Sequence, residues 1–96
     1  MSDVPTDTLD RLRATIADAC AISPDIVVPP ARLRGYGIDS VRLMNLMLTI
    51  EEQFGVRFDL EQLEGVRTVA DLVAYVDRLR READAAADAA RGTTRE

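Results

Sequence analysis

Apolar positions along the chain fall into three helical blocks, separated by stretches that interrupt a helix. In "TDTLDRLRATIADACAI", residues 6–22, Leu9, Leu12, Ile16 and Ala19 recur at i, i+3, i+7 and i+10, which is one face of an α-helix. Asp10, Arg13 and Asp18 lie off that stripe, and Thr6 or Asp7 is placed to cap the helix. Cys20 neighbours the stripe and reads as a small buried hydrophobe. The second block, from Asp39 or Ser40 to Phe54, puts Leu43, Leu46, Met47, Ile50 and Phe54 on one side, with Gly55 as the stop. Met44 and Met47 are both expected on or beside the core, in ordinary packing. The third block opens at "TVAD", where Thr68 and Asp71 have the spacing of a capping box. Val69, Leu72, Val73, Val76 and Leu79 supply its apolar face.

Between the blocks, the sequence predicts one long connection and one short helix. Residues 23–38, "SPDIVVPPARLRGYGI", contain Pro24, Pro29 and Pro30, which oppose helix, and the flexible Gly35 and Gly37. Ile26, Val27, Leu33 and Ile38 are apolar, so the connection should lie across the bundle. A loop this long in a small domain is usually functional. "VRFDLEQLEGVRT" predicts a short helical turn near Leu60 and Leu63, capped by Asp59. After Arg81 the text becomes "READAAADAARGTTRE", which has high helix propensity but no large apolar residue. It is expected to prolong the last helix into solvent and fray after Gly92. The expected architecture is all-α: three main helices and a short third one, with one domain over 1–81 and an Ala/Asp/Arg-rich extension over 82–96, helical or frayed. No strand is expected.

The second block leaves an anomaly. Val41 and Leu48 are seven residues apart and share the face opposite the core with Asn45 and Glu52, flanked by Arg42 and Thr49. Core packing does not account for two aliphatics on a polar surface. Both lie just downstream of "GYGIDS", where Asp39 can cap the helix and leave the Ser40 hydroxyl available. The first turn of a helix offers unpaired N–H groups and a partial positive charge, so a phosphate ester on Ser40 would be stabilised there. The serine has no neighbouring base to make it a nucleophile by itself.

Composition narrows the chemistry. The 96 residues suit one domain with an aliphatic core, since there is no Trp and only two Tyr and two Phe. The net charge of −5 disfavours nucleic acid and points to basic patches on partner proteins. There is no His and no Lys, which excludes Ser-His and Cys-His pairs and the usual His-based metal sites. Carboxylate chemistry by Glu51 and Glu52 is not expected, because adjacent exposed residues at a helix end are ordinarily solvated. No metal site and no enzymatic activity are expected. One cysteine cannot form an internal disulfide, which suits a cytoplasmic setting. No signal peptide or membrane span is expected, and "MSDVPTD" reads as a natural start.

The run "GIDSVRLMNLMLTIEEQFGV", followed by "TVADLVAYV", resembles the acyl carrier protein family over about residues 6–81. The matching features are G-x-D-S at the second helix, the aliphatic after it, and I-E-E-x-F-G at the helix end. The resemblance implies a four-helix bundle with a long first loop. It implies that Ser40 carries 4′-phosphopantetheine, added from coenzyme A by a phosphopantetheinyl transferase, with Asp39 assisting. It implies that an acyl or aminoacyl group rides on the arm as a thioester, and that the second helix is the recognition helix. Val41, Arg42, Asn45, Leu48 and Glu52 are then the expected partner-binding residues.

The early turns of that helix carry Arg42 and Asn45, where fatty-acid carriers are strongly acidic. "GIDS" is closer to acyl carriers than to the Gly-Gly-His-Ser of peptidyl carriers. A discrete, monomeric carrier in polyketide or mixed polyketide–amino-acid biosynthesis is therefore expected. Its partners would be a transferase, an acyl- or aminoacyl-loading ligase or acyltransferase, and a ketosynthase or other synthase domain. The alternatives are a fatty-acid-synthesis carrier, or a helical interaction module in which Ser40 is only a cap.

Overall fold

The computed structural model describes the backbone of residues 6–94 and the side chains of residues 7–87. Four helices follow one another: α1 (Thr6–Cys20), α2 (Ser40–Phe54), α3 (Leu60–Leu63) and α4 (Val69–Thr94). Helix α1 packs against both α2 and α4. Leu12, Ile16, Met47, Ile50, Leu72, Val73 and Val76 are fully buried between them. The all-α bundle with a short third helix is the architecture the periodicity predicts. Among the described residues there is no strand.

Helix ends are set by local chemistry. Asp39 caps α2, its carboxylate accepting the Arg42 N–H at 2.9 Å, and Asp59 caps α3 in the same way through Glu61 N–H. Gly55 ends α2 with φ of 66°, a left-handed conformation that glycine adopts without steric cost. Thr68 and Asp71 form the predicted capping box of α4: Thr68 Oγ1 accepts from Asp71 N–H, and the Asp71 carboxylate accepts from Arg67 and Thr68 N–H. Helix α1 closes differently. Ile22 N–H bonds to Ala17 O and Ala21 N–H to Asp18 O, with Ala21 left-handed at φ of 56° where glycine is usual. The helix therefore stops at Cys20, short of the expected Ile22.

Several expectations about faces are corrected. Ala19 is exposed, while Thr8 and Thr15 are buried on α1. Their hydroxyls have partners on other helices: Thr8 donates to Asp77 and accepts from Arg80, and Thr15 lies 2.8 Å from Gln53 Oε1. Asp7, offered as a cap, lies inside the first turn of α1 and pairs with Arg80 at 3.0 Å. Met44 is 38% exposed, because it sits one turn from Val41 and not on the Leu46–Met47–Ile50 side. Cys20 is partly buried against the core. Helix α4 is assigned from Val69 to Thr94, and the side chains of residues 81–87 are all exposed.

The long connection is more structured than its prolines predict. It contains two 3-10 turns, Pro24–Ile26 and Leu33–Tyr36, with Pro24 at a first-turn position that needs no N–H donor. Val27, Leu33 and Ile38 are buried as expected, whereas Ile26 is exposed. The Tyr36 hydroxyl donates to Ile26 O at 2.6 Å and accepts Val28 N–H at 3.1 Å, closing the first part of the loop. A lone antiparallel bridge joins Arg32 to Thr68: Leu33 N–H bonds to Arg67 O and Val69 N–H to Ala31 O, both at 2.9 Å. The loop carbonyls of Ala31 and Pro29 thus satisfy the first-turn donors of α4.

Candidate functional site

The path to Ser40 is fixed on both sides. Upstream, Gly37 turns left-handed with φ of 82° after the Leu33–Tyr36 turn, and Ile38 is buried. Downstream, Asp39 O accepts Leu43 N–H at 2.8 Å and the Asp39 carboxylate accepts Arg42 N–H. Asp39 therefore does the capping alone. Ser40 is the first residue of α2, is exposed, and makes no side-chain hydrogen bond among the described residues. Its hydroxyl is held at a helix N-terminus, where the macrodipole favours negative charge.

A groove of about 470 Å³ runs beside Ser40, lined by Leu33, Ile38, Leu43 and Val66 and by the guanidinium side chains of Arg32, Arg34 and Arg67. Asp39 and Glu64 line the same groove, so its polar lining carries both signs of charge beside the apolar walls. A second groove, about 900 Å³, opens between α1 and α2 and includes Thr15, Cys20, Arg42 and Asn45. Among the described residues no side chain that could act as a base bonds to Ser40. Among the described residues no group of three or more metal-ligating side chains occurs.

The second helix presents its anomalous face as expected. Val41 is 71% exposed and Leu48 55% exposed, with Asn45 and Glu52 also on the surface. Met44, expected on or beside the core, completes the exposed stripe Val41–Met44–Leu48 at i, i+3 and i+7. The signal that could have found it was that spacing. Arg42 is exposed on the side facing the α1–α2 groove. Glu52 lies more than three turns from Ser40, so it shares a face with Val41 but not a neighbourhood. Glu51 is committed elsewhere: its carboxylate accepts Phe58 N–H at 3.0 Å and pins the segment after α2.

Among the described residues no helix is long and apolar enough to cross a membrane. Comparison with known proteins agrees with the geometry. Residues 10–76 match the family described as "Phosphopantetheine attachment site". The chain is 34% identical over 73 residues to an acyl carrier protein of Zymomonas mobilis, covering 75% of this chain and 94% of that protein. It is 30% identical over 73 residues to an acyl carrier protein of Thermosynechococcus vestitus, covering 75% and 90%. It is 32% identical over 92 residues to a meromycolate extension acyl carrier protein of Mycolicibacterium smegmatis, covering 95% and 93%. A four-helix bundle, a capped second helix with an unengaged serine at its first position, and a match over most of the chain lead to one assignment: the chain belongs to the acyl carrier protein family, non-catalytic carriers with a 4′-phosphopantetheine prosthetic group.

Proposed function

We propose that Ser40 is the attachment residue and that the protein carries an acyl intermediate as a thioester between biosynthetic enzymes. The observation that carries this is the division of labour between neighbours: Asp39 caps α2 and Ser40 keeps an exposed, unbonded hydroxyl. In the loading step, Ser40 Oγ bonds to phosphorus of coenzyme A as the pyrophosphate bridge breaks. The hydroxyl proton passes to a base of the phosphopantetheinyl transferase, and the adenosine bisphosphate leaves. When attached, the arm supplies a terminal thiol for thioester formation. The chain's own residues orient the attachment point. Asp39 fixes the first turn, Gly37 and buried Ile38 fix the approach, and the N-terminus of α2 favours negative charge at the ester. Tethering raises the local concentration of cargo at each enzyme, so weak and short-lived docking suffices.

The exposed stripe of Val41, Met44 and Leu48, with Arg42, Asn45 and Glu52 around it, is the docking face in this reading. Partners are a phosphopantetheinyl transferase, a loading ligase or acyltransferase, and a ketosynthase or related synthase domain. A polyketide or mixed polyketide–amino-acid pathway is supported by Arg42 and Asn45 in the early turns of α2, where an acidic helix would suit fatty-acid synthesis. A second reading has its own support. The meromycolate extension carrier aligns over 92 residues, through most of the C-terminal extension, whereas the Zymomonas carrier aligns over 73. That favours elongation of long fatty acyl chains. A cytoplasmic monomer fits both readings, as does a cysteine without a disulfide partner.

Intact-protein mass spectrometry tests the attachment site. The full chain is incubated with coenzyme A and a broad-specificity phosphopantetheinyl transferase, with Ser40→Ala alongside. The expected result is one added phosphopantetheine on the wild type and none on the variant. Addition to a folded Ser40→Ala chain would refute the assignment.

A further inference from the structure

The two ends of α2 are held unequally. Of the residues from Ser40 to Asn45, only Leu43 is partly buried, and the others are exposed. Among the described residues, no side chain of this stretch makes a hydrogen bond or ion pair with another element. The groove of about 900 Å³ between α1 and α2 reaches Arg42 and Asn45, and α1 lines it with the short Ala14 and Ala19. From Leu46 onward the helix is packed, with Leu46, Met47 and Ile50 all buried.

Polar ties from α2 to α1 and α4 gather at its last two residues. Arg11 Nη2 donates to Gln53 O at 3.4 Å, and Thr15 Oγ1 lies 2.8 Å from Gln53 Oε1. Two guanidiniums lie over the Phe54 ring, Arg11 of α1 at 4.4 Å and Arg80 of α4 at 4.9 Å from its centroid. The ring attracts both cations through its negative face. Arg80 is itself fixed by Asp7 at 3.0 Å and by Thr8 Oγ1 at 2.9 Å. One aromatic side chain thus clamps the C-terminal end of α2 to both of the other long helices.

A helical stretch as short as 40–45 has too few hydrogen bonds to repay its nucleation and is not stable in water by itself. Ser40, Val41 and Asn45 are also weaker helix formers than leucine or arginine. The stretch is held by the Asp39 cap, by Leu43 against the core, and by continuity with Leu46. Segments with few buried contacts open at a lower free energy than the rest of a fold. The chain before the stretch does not share this weakness. Ile38 is buried and its N–H bonds to Leu33 O at 3.3 Å. The weak segment therefore lies between two fixed points, Ile38 on one side and the packed, clamped 46–54 on the other.

We propose that α2 is built as two parts: residues 40–45 unwind locally as one unit while residues 46–54 stay clamped to α1 and α4 by Arg11, Phe54 and Arg80. The opening lets the Ser40 hydroxyl turn away from its helical direction while Ile38 keeps the residue tied to the loop and the core stays closed. Its bearing on loading rests on the reading of Ser40 as the attachment residue; the opening itself does not.

Native-state hydrogen exchange of the full chain, read residue by residue by NMR, tests this. The amides of Leu43, Met44 and Asn45 report on the first part, and those of Ile50 to Gln53 on the second. The first set is expected to be about tenfold or more less protected than the second. Phe54→Leu keeps an aliphatic side chain but removes the ring under the two guanidiniums. It is expected to speed exchange at Ile50 to Gln53 about fivefold or more and to leave Leu43 to Asn45 within about twofold of the wild type. Equal protection of the two sets in the wild type overturns the proposal. So does a Phe54→Leu variant in which both sets speed up by the same factor, because α2 then opens only as a whole. If circular dichroism shows Phe54→Leu unfolded, Arg11→Gln is used, with about two- to fivefold faster exchange expected at Ile50 to Gln53 alone; an equal change in both sets, or none at Ile50 to Gln53, overturns the proposal. The mass measurement on Ser40→Ala reads a different quantity. Phosphopantetheine addition to that variant refutes the attachment residue, whereas the two-part helix stands or falls on exchange.

Discussion

Alanine at Asp39 and alanine at Ser40 should have opposite consequences, although the two residues are adjacent. Asp39→Ala removes the carboxylate that accepts Arg42 N–H at 2.9 Å and leaves the first turn of α2 with another unpaired donor. Loss of such a cap costs about 0.5–2 kcal/mol. The site is exposed, so water recovers part of the bond, and about 1 kcal/mol is expected. In a domain of this size that lowers Tm by about 4–8 °C. Ser40 gives up no side-chain hydrogen bond, and alanine is the better helix former at a helical position. Ser40→Ala is therefore expected to stay within about 0.5 kcal/mol of the wild type. Asp39→Asn keeps a capping oxygen but loses the charge that favours a helix N-terminus, and should lose only a few tenths of a kcal/mol. Thermal and urea melts followed at 222 nm measure all three. If Ser40→Ala destabilises as much as Asp39→Ala, the hydroxyl is the cap and the argument for an available attachment oxygen fails.

Three further outcomes are expected. Val41→Asp and Met44→Ala should leave the melting curve nearly unchanged while slowing transfer by partner enzymes, whereas Met47→Ala, fully buried, should cost about 2–5 kcal/mol; a comparable loss from Met44→Ala would place that residue in the core. The Asp71 carboxyl is held below the ordinary aspartate value, first by Arg67 N–H, against opposing desolvation and with further help from Thr68 and the Arg67 charge. Its contribution is thus complete above the ordinary aspartate pKa and is lost as pH falls through the lowered folded value. The stability gap between wild type and Asp71→Asn should accordingly narrow on acidification, and urea midpoints against pH that show it widening would contradict this. Ala21→Gly should raise stability by about 1 kcal/mol, because glycine relieves the left-handed strain at φ of 56° by more than it adds to unfolded-state entropy; a lower urea midpoint for the glycine variant would contradict that reading.

What could be read from the sequence was local chemistry. Asp39, Asp59, Gly55 and the Thr68–Asp71 pair act within four residues of themselves, and the structure places each at the helix end it predicts. The Val41–Leu48 face was visible because aliphatics contradicted their own helical register. What escaped depended on residues far away in the chain. Thr8 and Thr15 are buried because their hydroxyls find partners on other helices, Thr8 donating to Asp77 and accepting from Arg80 and Thr15 pairing with Gln53, and no periodicity in α1 contains those partners. Met44 borders the core stripe on the wheel, and only the packing shows that it falls on the exposed side with Val41. The groove at Ser40 needed the fold as well: Arg34 and Arg67 are brought to it only by the crossing of the loop with the start of α4.

That crossing governs how the molecule can come apart. Leu33 N–H and Val69 N–H are the two backbone donors of the Arg32–Thr68 bridge, from segments far apart in the chain. The approach to Ser40 cannot swing away without also stripping α4 of its first-turn partners. Both amides should therefore exchange with solvent deuterium together, as one cooperative opening, and Ser40 stays in register with a helix it does not belong to.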